Sequence, residues 1–169
     1  MARGAESYQF LPLLPFRFRF AGYIMIFLGI GAAYLYFFGG RPTYFEIPVF
    51  AIVTSYAETR WFVFAQTNAL DELAFVFSLL GLLAILFSKE KHELPEISFL
   101  RIKAIIYGVY GTSLFLILLY ITVFGWPIFI AIACAFAFFM VLSIIIFRVL
   151  VYKYQKEYNN SSNTKEGAL

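Results

Sequence analysis

Few side chains in this sequence can do chemistry, and they fall in two places. Asp71 and Glu72 are adjacent, and Glu58, Arg60 and Asn68 stand shortly before them. Paired carboxylates can serve as general acid and base or hold a cation. The only histidine, His92, lies near Glu90 and beside Glu93 in a run of charges. That pattern would suit a metal only if further ligands converged on it. A single cysteine, Cys134, excludes an internal disulfide and any multi-cysteine metal site. Gly-x-Ser-x-Gly, His-Glu-x-x-His and a phosphate-cradling glycine loop are all missing from the sequence. Gly29 and Gly31 sit inside an apolar run, which is the wrong context for a dinucleotide loop. A transmembrane haem would need His or Met ligands inside the apolar segments, and His92 lies outside them. No catalytic residue, cofactor or metal is therefore expected, and the chain reads as a non-enzyme.

The segments that carry these groups are strongly apolar. Of 169 residues, 62% are hydrophobic and 14% charged, and mean hydropathy is +0.82. A soluble domain has roughly 45–50% apolar and about 25% charged residues. The departure is towards lipid and away from disorder or nucleic-acid binding. A spanning helix takes about 20 apolar residues. Residues 20–40 and 104–147 carry no charge, and the second run is too long for one helix. Gly125, Trp126 and Pro127 supply a turn within it, since Gly is flexible, Trp suits the interface and Pro starts a helix. A further apolar run begins near Leu70, where Asn68 or Thr67 can cap and Asp71 and Glu72 favour a helix N-terminus. Four spans follow, at about 20–38, 70–88, 104–124 and 127–147. Gly31, Ala32 and Ala33 resemble a signal cleavage site, but the long basic segment before them argues for a retained span.

Eleven of the thirteen Lys and Arg residues fall on one side of these spans, and only Arg41 and Arg60 on the other. Positive residues accumulate in cytoplasmic loops, so both termini are expected in the cytoplasm. The expected fold is an all-α integral membrane protein, a four-helix bundle. Residues 1–19 form a basic, aromatic interfacial segment, with Arg17 and Arg19 alternating with Phe16, Phe18 and Phe20. Residues 20–152 form the membrane domain, and 153–169 a disordered polar tail. The extracytoplasmic stretch 41–69 is too long to lack structure. Its apolar runs predict an interfacial or re-entrant helix over residues 47–65, with Tyr44, Tyr56 and Trp61 in an aromatic belt.

Each span carries small residues that permit close helix approach. They are Gly22, Gly29 and Ala33; Ala74, Ser78 and Gly81; Gly108, Gly111 and Thr112; and Ala131 with Ala135. No ionisable group lies in a span centre, which counts against a proton relay or a charged filter.

Several motifs taken together form a pattern that resembles a known group. Thr67-Asn68 with Asp71-Glu72-Leu73 is one, and Phe87-Ser88-Lys89-Glu90-Lys91 with Glu96-Ile97 and Leu100-Arg101 is the most specific. Phe147-Arg148 with Tyr152-Lys153 completes the set, which covers about residues 67–153. The pattern resembles a family of small four-helix inner-membrane proteins of Bacteroidetes that has no assigned activity. That resemblance implies an inner-membrane location and lends no chemistry. The chain departs from it at His92-Glu93-Leu94-Pro95, where the family loop is acidic, and at Lys103-Ala104, where the family has a small polar residue.

Two surfaces remain as candidates. Lys89, Glu90, Lys91, Glu96 and Arg101 form either an ion-pair network closing the inner end or a docking surface for a membrane or cytoplasmic protein. At the outer end, Arg60 is expected to reach Asp71 or Glu72, with Glu58 and Asn68 close by. The leading reading is an accessory or regulatory membrane protein that binds a partner through one of these surfaces. A small oligomeric channel or transporter lined by Ser78, Thr112, Ser113 or Ser143 is the alternative. A membrane enzyme acting on lipid or quinone through Asp71 or Glu72 is a third. The bilayer and, in the channel reading, a second copy of the chain are the remaining partners; nucleic acid is not.

Overall fold

A computed structural model describes residues 12–54, 59–91 and 94–166. The elements run α1 (Arg17–Phe37), a 3-10 turn (Thr43–Phe45), β1 (Glu46–Thr54), β2 (Arg60–Asn68), α2 (Leu70–Phe87), α3 (Pro95–Thr122) and α4 (Trp126–Glu166). Four of these helices are long and apolar enough to cross a bilayer. By length and composition they mark a multi-pass membrane protein. Large apolar side chains such as Phe27, Ile30, Tyr120 and Ile130 stand exposed along them, as lipid-facing positions do.

The helix ends follow local chemistry. The first turn of α1 closes with Phe18 N donating to Pro15 O at 2.9 Å. Its end reverses through Gly40 and Arg41, at φ +74° and +52°. Asn68 starts α2: its Oδ1 accepts from Leu70 N at 3.2 Å, and its Nδ2 donates to Pro42 O at 3.2 Å. Pro95 opens α3 with Glu96 in the first turn. Gly125, at φ +78°, turns the chain from α3 into α4.

Of residues 47–65, 47–54 and 60–65 lie in strands, which corrects the expected interfacial or re-entrant helix and the all-α class. β1 and β2 form an antiparallel hairpin with Glu46 opposite Asn68, Val49 opposite Ala65 and Val53 opposite Trp61. β-Branched residues at 47, 49, 53 and 63 favour a pleated strand. Pro48 would break a helix interior, but it is tolerated in an edge strand. Phe50, Phe62 and Phe64 cluster on one face, with the Phe50 and Phe64 rings 5.4 Å apart. Phe62 has φ +51°, strained for a bulky residue, and the pairing skips from Ala51–Val63 to Val53–Trp61 there.

The chain forms two compact units. In Gly22–Gly81, α1 and α2 approach antiparallel through the small residues seen in the sequence. A Cβ on Gly29 would lie 2.5 Å from Ser78 Oγ, and one on Gly81 would lie 2.7 Å from the Gly22 carbonyl oxygen. In the other unit, residues 12–21 and 82–166, α3 packs against α4. Gly108 faces Ser143 and Phe139, and the Phe115 and Phe138 rings stack at 4.5 Å. A small core of Ile97, Ala104, Phe147 and Val151, flanked by Leu100, Ile146 and Leu150, closes the α3 start against α4.

α3 begins at Pro95, a residue suited to a helix start, ahead of the span at 104–124, and Ile97, Leu100 and Ala104 continue its apolar face onto α4. One boundary differs from the sequence expectation. α4 continues to Glu166, through the stretch expected to be a disordered tail. Lys153, Gln155, Lys156 and Glu157 are good helix formers, and an established helix propagates more readily than it nucleates.

Candidate functional site

The polar groups of the second unit gather where α2 ends. Helix ends leave carbonyls without intrahelical donors. Here Arg101 on α3 donates from Nη2 to the Ser88 carbonyl at 3.1 Å. Its guanidinium also lies over the Phe147 ring, 4.9 Å from the centroid. Arg101 is only 1% exposed, so this charge is an internal clamp. Ser88 is buried too, and its hydroxyl donates to Ile85 O at 3.3 Å.

Glu90 is the second clamp. Its Oε2 meets Arg19 Nη1 at 2.6 Å, and its Oε1 meets Arg148 Nη1 at 3.4 Å. The Arg19 and Glu90 side chains are 10% and 16% exposed, whereas Arg148 is 42% exposed. The inner bond therefore carries more weight than the outer one. The segment before α1 is tied to the same place by backbone. Leu14 N donates to Phe87 O, and Lys89 N donates to Leu14 O, each at 2.9 Å. Two prolines flank Leu14 at positions 12 and 15 and hold this stretch extended.

The five residues expected at this end thus divide. Glu90 and Arg101 are turned inward, while Lys89, Lys91 and Glu96 are exposed. Glu90 pairs with Arg19 and Arg148, neither of them among the five. Sequence reasoning missed both arginines, along with Ser88 and Phe147. The available signals were Phe87-Ser88 and Phe147-Arg148, which belong to the motif set but carry no local hint of partners 13 and 58 residues away. His92 and Glu93 lie outside the described residues.

Beside this clamp runs an open groove of about 470 Å3, lined by Pro95, Glu96, Phe99, Leu100 and Tyr154. It joins the first turns of α3 to the part of α4 beyond the apolar span. Lys103 Nζ sits 4.7 Å from the Phe99 ring centroid on the same stretch of α3. The groove is apolar with a charged rim, a composition suited to another protein surface.

The cluster expected at the other end is divided. Arg60 opens β2 and Asn68 closes it. Nine extended residues place them roughly 26 Å apart, beyond the reach of an arginine side chain. Arg60 therefore does not pin Asp71 or Glu72. Asn68 caps α2, and Asp71 Oδ1 accepts from Glu72 N at 3.1 Å. Glu58 and Tyr56 lie outside the described residues. Among the described residues, no group of three or more His, Cys, Asp or Glu side chains is placed to hold a metal. Cys134 is exposed on α4.

Comparison with known proteins adds nothing to this geometry: no family model, curated protein or solved structure matches the chain.

Proposed function

We propose that this chain is a non-enzymatic accessory or regulatory protein of the bacterial inner membrane, with both termini in the cytoplasm. Its partner is a protein that docks where α3 begins and α4 extends. The observation that carries this reading is the length of α4. Its 41 residues measure about 60 Å, twice the thickness of a bilayer core. Residues 148–166 therefore project about 28 Å past the span. The groove opens at the root of this projection with exposed Glu96 in its lining, and exposed Lys89 and Lys91 lie in the loop just before α3. The excess of Lys and Arg on this side supports a cytoplasmic location.

The placement of the hydroxyl groups favours this reading over a channel. Ser143 is buried against Gly108, and Ser78 lies against Gly29, both at helix contacts. The test is site-specific photo-crosslinking in native membranes from Phe99, with Tyr120 at the far end of α3 as control. A discrete adduct from Phe99 that vanishes in Lys89→Glu/Lys91→Glu is expected. The same lipid-only signal from both positions would refute the proposal.

A further inference from the structure

We infer that the end of α1 and the base of the hairpin form a binding site for a phosphate group, the chemistry of a phospholipid headgroup. The inference uses only the first unit and the spanning character of α1 and α2, so it stands apart from the protein-docking reading. A pocket of about 260 Å3 is lined by Tyr36, Arg41, Gln66, Thr67 and Asn68. Arg41 is its cation. The guanidinium carbon sits 4.4 Å from the Tyr36 ring centroid, and this stacking holds its fork in one orientation. Among the described residues no carboxylate is paired with Arg41. Its charge is therefore unspent, unlike those of Arg19 and Arg148, and a guanidinium recognises phosphate through two parallel hydrogen bonds.

The backbone supports the same placement. Gly40 and Arg41 are successive residues in the left-handed region, which is strained for arginine. Such strain persists only where surrounding structure imposes it, and it concentrates at functional positions. Here Asn68 imposes it from across the pocket by holding the Pro42 carbonyl. With Asn68 committed to Pro42 and Leu70, the Gln66 amide, the Thr67 hydroxyl and the Tyr36 phenol are the neutral donors left on the wall. Tyr36 lies in the last turn of α1, and Asn68 stands two residues before Leu70, where α2 begins. The pocket thus opens where the two apolar spans end, at the depth of lipid phosphates.

The test is native mass spectrometry of the full chain released from detergent, titrated with short-chain phosphatidylglycerol. Diacylglycerol of the same chains and inorganic phosphate serve as comparison probes. One retained phosphatidylglycerol is expected, with diacylglycerol binding at least tenfold weaker. Arg41→Gln should weaken the adduct about tenfold, and Gln66→Ala, which leaves the Arg41 turn intact, should weaken it several-fold. Arg60→Gln removes a charge from the other end of the hairpin and should change nothing. Arg41-dependent binding of inorganic phosphate would keep the site and assign its source to free phosphate. Failure of inorganic phosphate to bind or compete would assign it to lipid. Equal retention of diacylglycerol, or an equal loss in Arg60→Gln, would overturn the inference.

Discussion

Arg101 is the most consequential side chain in the structure, and its removal has a calculable cost. It is almost fully buried, donates to the Ser88 carbonyl and lies over Phe147. A hydrogen bond from a charged donor contributes about 1.5–3 kcal/mol. A desolvated cation–π contact adds about 1–2 kcal/mol. Arg101→Ala loses both, strands the Ser88 carbonyl and leaves a void against the Ile97–Phe147 core. Against this stands the desolvation relieved when a buried charge is removed, which offsets part of the loss. The net expectation is about 3–5 kcal/mol for Ala. Arg101→Met keeps most of the volume and drops the charge, so it should cost only about 1–3 kcal/mol. For a chain of this size each kcal/mol moves Tm by about 2–4 °C, so Ala should lower it by roughly 6–20 °C. The assay is thermal unfolding in a fixed mild detergent, followed by intrinsic fluorescence. Exposed Lys89→Ala should shift Tm by no more than about 2 °C. An Arg101→Ala protein melting within that range, or an Arg101→Met variant less stable than Ala, would refute the clamp.

Three further outcomes follow from the packing. Gly81→Ala must displace the Gly22 carbonyl and should loosen α1 from α2, whereas a Cβ on Gly31 meets nothing within 4 Å and Gly31→Ala should be neutral; intramolecular disulfide trapping between engineered cysteines on α1 and α2 reads the difference. Glu90→Gln weakens its bonds to Arg19 and Arg148 and should cost about 1–3 kcal/mol, with faster hydrogen exchange at the Leu14 and Lys89 amides. Asn68→Ala removes the α2 cap and the tie to Pro42, costing about 0.5–2 kcal/mol, and should increase protease cutting near Arg41.

The helices were legible in the sequence because their signals are local. Asn68 before Leu70, Pro95 before Ile97, and Gly125 between two apolar runs each mark a boundary by their own chemistry. The small residues on α1 and α2 likewise announced the faces that meet. The hairpin was concealed because both of its faces are apolar. Val49 and Phe50, or Trp61 and Phe62, are adjacent hydrophobes on opposite faces, so the period of two that identifies a half-buried strand does not show. The α4 extension was concealed by composition, since the same Lys, Gln and Asn residues serve a solvated helix or an unfolded tail. The clamp could be only half read. Arg101 and Glu90 carried a motif, but their partners depend on tertiary placement: Arg19 is 71 residues from Glu90, and Arg148 is 58 residues away.

The proposed function requires Lys91 to lie in the cytoplasm and Tyr44, one span away along the chain, to lie outside it. Cysteine labelling with a membrane-impermeant maleimide tests this most directly. In a Cys134→Ala background, Lys91→Cys and Tyr44→Cys place single thiols at exposed positions at the two ends. Tyr44→Cys should be labelled in spheroplasts, whose outer membrane has been opened and inner membrane left intact. Lys91→Cys should be labelled only after the inner membrane is broken. Labelling of Lys91→Cys in spheroplasts, with Tyr44→Cys protected, would contradict that placement.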